Sequence, residues 1–473
     1  MMLRNLLMAI VVGILLCNGA CNNDDNSTDA GTDGDSDADN DSDTDTDSDT
    51  DTDTDADTDP HISADKFVRH VINEGTEGPS FMSVGDLTGD GHDDVVVSYF
   101  GSPADLQMRG SLIIYEYGGD LDSWTANPIV SQATDLKFPN QTTIVDVDND
   151  GDNDVFVPGG FLACTMGGMA GGCGSLTWFE NNGDATNWVR HDIVPFGSDL
   201  FYHKILLVDL DEDGIDDLMT VGEEMGGGIP AGPDQAIAGW FKGTGTGVGF
   251  ELTPRLIGDG LGSLPVMMDI DGDGDTDFAS GEYFVENGSF AWMEQTGAPS
   301  GSDPAGTWTR HVIDNTVGPT IMFAFIDDLY GDGVTYGVGS NHTNESNGEP
   351  ESAVYVYDIP GADLTSPWSG TKISEGIVSV AGSTMSPQAA PGIFGWGDID
   401  GDGDIDIALS GDGDKRFLIL EQLTAGVFNT VTIEDPLGQA GGMMVVDMDG
   451  DGNTEVIAGG YDQNAVYLYE WNG

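Results

Sequence analysis

Nine-residue segments crowded with aspartate recur seven times along the chain. They are "DLTGDGHDD" from Asp86, "DVDNDGDND" from Asp146, "DLDEDGIDD" from Asp209, "DIDGDGDTD" from Asp269, "DLYGDGVTY" from Asp328, "DIDGDGDID" from Asp398 and "DMDGDGNTE" from Asp447. Their first residues lie 60, 63, 60, 59, 70 and 49 residues apart. A period of this length marks one supersecondary unit repeated, because a single unit cannot bury its own apolar face. Each segment follows an apolar run such as "ILLVDL" and precedes a β-rich one such as "DVVVS" or "EVIAGG". A third run then carries an aromatic near its end, as in "SLTWFEN" and "SFAWMEQ". A fourth follows in most units, as in "WVRHDIV" (188–194) and "WTRHVID" (308–314). Four strands in each of seven units, with no helical period between them, predict an all-β, seven-bladed β-propeller with four-stranded blades.

The two ends of the repeat region fit together. The last unit stops after its third strand, at "YLYEWNG", and "FVRHVIN" (67–73) closely matches "WTRHVID". The N-terminal strand is therefore expected to close the last blade, which removes an exposed sheet edge.

Aspartates this close repel one another unless a cation sits between them. Carboxylates at alternate positions around a glycine are hard oxygen ligands, suited to Ca²⁺. An EF-hand needs a glutamate at the twelfth position, and that position holds Val97, Val157, Thr220, Ser280, Gly339, Leu409 or Ala458. Instead, the ninth residue is acidic and opens a strand in six of the segments. This resembles the FG-GAP (VCBS-type) repeat of integrin α N-terminal propellers and many bacterial surface proteins, over residues 66–473. In that family the first, third, fifth and ninth residues give side-chain oxygens and the seventh a backbone carbonyl.

Carried over by position, the resemblance implies up to six Ca²⁺ sites. The first is Asp86, Thr88, Asp90, His92 and Asp94, and the second Asp146, Asp148, Asp150, Asp152 and Asp154. The third is Asp209, Asp211, Asp213, Ile215 and Asp217, and the fourth Asp269, Asp271, Asp273, Asp275 and Asp277. The remaining two are Asp398, Asp400, Asp402, Asp404 and Asp406, then Asp447, Asp449, Asp451, Asn453 and Glu455. The segment from Asp328 departs from the pattern, since Tyr330 and Tyr336 replace two carboxylates, and is expected to hold no ion.

The chain of 473 residues carries 84 acidic and 13 basic residues, a net charge of −71. That balance excludes nucleic acid and anionic lipid as partners, since both need Lys and Arg clusters. Adaptation to high salt would explain acidity outside the repeated segments but not their spacing. Residues 1–20 read as a lipoprotein-type signal peptide: Arg4, an apolar run from Leu6 to Leu16, then Gly19 and Ala20 before Cys21. The end of this segment resembles a bacterial lipobox, with Cys21 lipidated, although Asn18 departs from its usual apolar residue. Ordinary cleavage and release is the alternative. Residues 21–65 read as an Asp-rich disordered tether, with 17 aspartates between residues 22 and 60 and no Lys or Arg there. Cys164 and Cys173 flank "TMGGMAGG" and are expected to form a disulfide in an oxidising compartment. A two-thiolate metal clip is the other reading of that pair.

No G-x-S-x-G, H-E-x-x-H or phosphate-cradling glycine loop is present, and no catalytic residue is assigned. His70, His191 and His311 share one place in the fourth strand, whereas His203 and His342 fall in loops on the face away from the acidic segments. Polar loops of variable length on that face carry Glu223, Glu224, Glu282, Tyr283, Asn341, His342, Asp412 and Tyr461, the candidate ligand face. The leading expectation is a calcium-stabilised, surface-tethered binding or adhesion module, a monomer without catalysis, for a protein or carbohydrate ligand. It would be exported as an outer-membrane or cell-surface lipoprotein, or secreted if Cys21 is not lipidated. A carbohydrate lyase or sugar dehydratase-like propeller is the alternative, and a structural coat component a third.

Overall fold

The repeats fold as seven four-stranded antiparallel sheets in the computed structural model. It describes residues 61–473 apart from 103–104, 106, 108, 162–171, 225–234, 246–248, 263, 380–388 and 438–439. The expected signal, Cys21, residues 22–60 of the spacer and Cys164 lie outside the described residues. Blades are numbered here by the order of their acidic segments. Blade 1 comprises Pro79–Gly85, Asp94–Tyr99, Gly110–Tyr117 and Trp124–Ala133. In every blade the acidic segment is the hairpin loop between first and second strands. Outside blade 5 the second strand opens on the ninth residue itself: Asp94, Asp154, Asp217, Asp277, Asp406 or Glu455.

Burial across a blade explains the sequence pattern. Second strands are buried along all or most of their length, as in Asp94–Tyr99 and Glu455–Gly460, so they do not alternate. Outer strands such as Phe67–Glu74 keep one side in solvent and alternate. Each blade contributes residues to two cores, one shared with each neighbour, so seven inter-blade cores close the circle. The third-strand tryptophans Trp178, Trp240 and Trp292 are completely buried. His191 stacks on Trp178 at 4.3 Å and His311 packs on Trp292 at 4.6 Å. Their Nε2 atoms pair with Glu180 at 2.7 Å and Glu294 at 2.5 Å. The fourth-strand histidines are thus repeat structure, as their shared place suggests. Cys173 is buried and disulfide-bonded.

Blade 7 is built from both ends of the chain. Phe67–Glu74 lies antiparallel to Ala465–Trp471, paired from Phe67 opposite Trp471 to Glu74 opposite Ala465 with the register shifting by one between Val71 and Asn73. The folded chain begins ahead of this strand, inside the stretch assigned to the tether: Ile62 is buried in the core between blades 6 and 7, and Ala64–Lys66 forms a 3₁₀ turn. Deleting Lys66–Asn73 is expected to leave Ala465–Trp471 as an open edge and expose the apolar side chains of its core. Size-exclusion chromatography should then show aggregation, and heat unfolding should lose its single sharp transition; a monomer of unchanged stability would contradict the closure.

Candidate functional site

All seven acidic loops share one hydrogen bond, although in the loop from Asp328 the first residue has a positive φ of 56° and the strands pair from Asp327 opposite Thr335. The first carboxylate accepts the N–H of the sixth-position glycine, from Gly91 to Asp86 at 3.0 Å, Gly151 to Asp146 at 3.1 Å and Gly214 to Asp209 at 2.8 Å. The same bond runs from Gly274 to Asp269 at 3.2 Å, Gly333 to Asp328 at 2.6 Å, Gly403 to Asp398 at 3.2 Å and Gly452 to Asp447 at 3.1 Å. These glycines have φ between 75° and 100°, a region that strains any side chain. The fifth-position carboxylate accepts the seventh residue's N–H, as from His92 to Asp90 at 2.9 Å and Asn453 to Asp451 at 2.8 Å.

The ninth residue does more than its position in the family pattern implies. One oxygen of its carboxylate accepts the N–H of the second loop residue: Leu87 to Asp94 at 3.1 Å, Val147 to Asp154 at 2.9 Å, Leu210 to Asp217 at 3.0 Å and Ile270 to Asp277 at 2.9 Å. Ile399 to Asp406 at 3.2 Å and Met448 to Glu455 at 2.8 Å repeat it. In five blades the other oxygen accepts an N–H at the end of the third strand, from Tyr117, Asn181, Gly243, Gln295 or Gln422, at 2.7–3.1 Å. All six side chains are 0–2% exposed. Burial pushes Asp154, Asp277 and Glu455 up to about 7, Asp406 to about 8 and Asp217 to about 6, against the opposing pull of the backbone hydrogen bonds.

The loops fit a divalent cation. Among the described residues, single-ion clusters form at Asp146, Asp148 and Asp154; at Asp209, Asp211 and Asp213; at Asp269, Asp271 and Asp273; and at Asp447, Asp449 and Glu455. A further one joins Asp400 and Asp402 to His61. Thr88 Oγ1, Asp211 Oδ1, Asp275 Oδ1 and Asp400 Oδ2 are buried loop oxygens with no hydrogen donor, the condition a bound cation relieves. The ninth residue joins the cluster only in the second and last loops. In the first loop no such cluster forms, since Thr88 stands at the third position, and the His92 ring packs on Tyr117 at 5.8 Å.

Two loops are occupied by the chain's own groups. In the third, Lys242 Nζ contacts Asp211 Oδ2 and lies 2.5 Å from Asp213 Oδ2, while Arg255 stands 3.8 Å from Asp211. The ammonium holds Asp213 below the usual carboxylate range. In the loop from Asp328, the Tyr336 hydroxyl donates to Asp332 Oδ2 at 2.8 Å, and its ring packs on Tyr330 at 4.6 Å. The phenol therefore turns back onto a carboxylate of its own loop. Replacing Lys242 with Met should raise the third loop's affinity for a divalent cation by about tenfold, or ~1.4 kcal/mol. Equilibrium dialysis checks it, and an unchanged affinity would show that the ammonium does not compete.

The raised carboxyl pKa values also set a pH dependence. Between about pH 4 and pH 7 the folded state holds more protons on these groups than the unfolded chain, so stability falls as pH rises. In chelator, the melting temperature should therefore drop by several degrees between pH 5 and pH 8. Saturating divalent cation should flatten that slope, because it favours the ionised form. A slope unaffected by cation would sever the link between the ninth carboxylates and the ion.

The opposite face is built by the other ends of the second strands. Fourteen residues after the first aspartate of each loop stand Phe100, Gly160, Glu223, Tyr283, His342, Asp412 and Tyr461, one per blade. Aromatic rings form a continuous course around this mouth. Tyr461 meets Phe100 at 6.4 Å, Phe100 meets Phe138 at 5.4 Å, and Phe138 meets Phe161 at 5.6 Å. From Phe161 the course passes His203 at 6.4 Å, Phe201 at 5.5 Å and Phe284 at 5.5 Å. It ends through Tyr283 at 5.0 Å and His342 at 5.6 Å, with Asp412 Oδ2 3.8 Å beyond His342 Nε2. The Lys415–Asp462 pair, at 3.1 Å, joins blade 6 back to blade 7. Phe100, Phe138, Phe161, Tyr283, His342, Asp412 and Tyr461 are half-buried.

The predicted ligand-face residues divide. Tyr283, His342, Asp412 and Tyr461 belong to the mouth, and Glu224 is half-buried at the end of its strand. Glu223, fully buried, lies 3.3 Å from His203 Nδ1. His203 itself sits in the strand Phe201–Val208 rather than in a loop. Glu282 is a brace, gripped by Nε and Nη2 of Arg310 and by the Leu261 N–H. Asn341 is likewise spent on Val317, Glu351 and Ala353 backbone groups. The sequence reading missed Phe100, which the constant spacing from the acidic loops would have found, and Phe161, which stands one place beyond that spacing. Arg109, Arg310, Lys415 and Arg416 are each paired with a carboxylate.

The FG-GAP-like repeat family matches residues 398–458 of the chain. No curated protein sequence matches it. Among solved structures, the chain is similar to the Fusarium graminearum α-L-arabinofuranosidase Arb93A, at 10% identity and a TM-score of 0.44, over 84% of this chain and 94% of that one. It is similar to the V. cholerae biofilm matrix protein Bap1, at 12% identity and 0.38, over 85% and 88%. The Penicillium chrysogenum α-L-arabinanase follows at 10% and 0.42, over 84% and 98%.

Proposed function

From a chain that is a seven-bladed β-propeller of FG-GAP-like repeats, we propose a calcium-stabilised binding module, held at a cell surface by its N-terminal segment and binding ligand at the aromatic mouth. Calcium is the cation because the repeated loops offer oxygen ligands almost alone. At ~1 mM calcium and a Kd of ~0.1 mM, each site adds about 1.4 kcal/mol. The ions act as fasteners for the hairpins.

The observation that carries the reading is the course of aromatic rings on the face away from the loops. Half-buried rings on a rigid frame are a recognition surface, offering apolar area at small entropic cost. Arg109, Lys415 and Arg416 are already paired with carboxylates, and Asp412 stands at the mouth beside His342, so a polyanion is disfavoured. A neutral carbohydrate suits the site: its C–H faces stack on rings while its hydroxyls donate to carboxylates and His342. A carbohydrate-active enzyme is the second reading, favoured by the His203–Glu223 pair 3.3 Å apart at this mouth.

The soluble fragment 61–473 should bind neutral glycans on an array in calcium. Phe100→Ala and Tyr461→Ala should each weaken that binding at least tenfold without changing the circular dichroism spectrum. Excess chelator should lower the melting temperature by more than ~10 °C, consistent with the loss of several such sites. Absence of glycan binding, or binding indifferent to both substitutions, would overturn the ligand assignment; release of a shortened glycan would favour the enzyme.

A further inference from the structure

The sixth loop differs from the others in having an imidazole from ahead of the first strand beside its carboxylates. His61 Nδ1 stands 3.7 Å from Asp400 Oδ2 and 3.8 Å from Asp402 Oδ2. Its position is set by the backbone: the N–H groups of His61 and Ile62 both donate to Glu421 Oε1, the second at 2.8 Å. Ile62 anchors the segment in the core between blades 6 and 7, and the Lys66 carbonyl accepts the Asn472 N–H at 2.9 Å. The Asp400 side chain is only 1% exposed, and its Oδ2, aimed at the imidazole, has no hydrogen donor. A carboxylate oxygen so buried is costly unless a proton or cation reaches it.

We propose that His61, Asp400 and Asp402 form a mixed nitrogen–oxygen site for a borderline divalent cation such as Zn²⁺, and that the bound ion fastens the N-terminal segment to blade 6. The inference rests on reading the acidic loops as cation sites. An imidazole in the donor set shifts preference away from Ca²⁺, which takes oxygen ligands, toward Zn²⁺, Co²⁺ or Ni²⁺. The other clusters among the described residues contain carboxylates only. The two 3.7–3.8 Å separations can be bridged by one ion with bonds of about 2.0–2.2 Å. Such an ion links the chain ahead of the first strand to a loop more than 300 residues later in sequence, beside the blade that closes the circle.

The test titrates the full chain with Zn²⁺ in millimolar Ca²⁺, which fills the oxygen-only loops. One Zn²⁺ should bind, and its X-ray absorption spectrum should show imidazole scattering. His61→Ala should remove that signature and weaken Zn²⁺ at least tenfold while leaving calcium uptake by the other loops unchanged. Asp400→Asn should weaken Zn²⁺ similarly, and bound Zn²⁺ should slow proteolysis ahead of Phe67. The absorption measurement needs no variant, so a misfolded substitution does not blunt it. Calcium uptake without an imidazole-bound Zn²⁺, or an imidazole signature that survives His61→Ala, overturns this site and leaves the calcium reading standing. If no loop takes any cation, both fall.

Discussion

The carboxylate at the ninth loop position is the interaction on which each repeat depends. It lies where three pieces of chain meet, at the start of the second strand, under the loop and beside the end of the third strand. It accepts backbone N–H groups from both neighbours, as Asp277 does from Ile270 and Gln295. A charge in that dry position is unfavourable by itself, and burial raises these carboxyl groups toward neutral pH. The aspartates in front of it repel one another as well, a cost that a divalent cation would relieve. The acidic loop and the β-hairpin thus share one residue: the buried acid that heads the second strand also ties the loop to the third strand.

Loop shape and ion binding are nevertheless separable. The loop from Asp328 keeps the Gly333 N–H bond to Asp328 and the Val334 N–H bond to Asp332 while lacking carboxylates at the third and ninth positions. Its tyrosines fill the space with two rings packed at a tilt and a hydroxyl bond. Blade 5 therefore folds on packing where its neighbours also rely on charge, and the third loop lies between these cases, with Lys242 supplying a fixed positive charge. Stability is spread unevenly around the circle even though the backbone is nearly repeated.

The architecture was legible because it is written in local and periodic signals. The loop motif recurs, strands flank it, and the match of residues 67–73 to residues 308–314 announces the shared blade. The expected cation positions came from the resemblance; among the described residues carboxylates gather in the second, third, fourth and last loops, two aspartates meet His61 in the sixth, and the first forms no such cluster. What escaped was whatever depends on distance in sequence. Lys242 stands 31 residues from Asp211 and His61 is 339 residues from Asp400, so no motif connects them. Glu282 and Asn341 looked like loop polar groups and are internal braces, because their partners lie 28 and 24 residues away in Arg310 and Val317. The ninth residue was read for one role when its two oxygens serve two neighbours.

The direction of the closing strand has a mechanical consequence. Phe67 lies at the acidic-loop end of blade 7 and Glu74 at the mouth end, so the chain enters from one face while the aromatic course occupies the other. A pull between the N-terminus and the mouth face would run along Phe67–Glu74, parallel to its own axis. The hydrogen bonds to Ala465–Trp471 then share the load side by side in shear rather than parting one after another like a zip. A circle fastened by its outermost strand would seem weak under tension, yet this orientation sets the seam across its strongest direction.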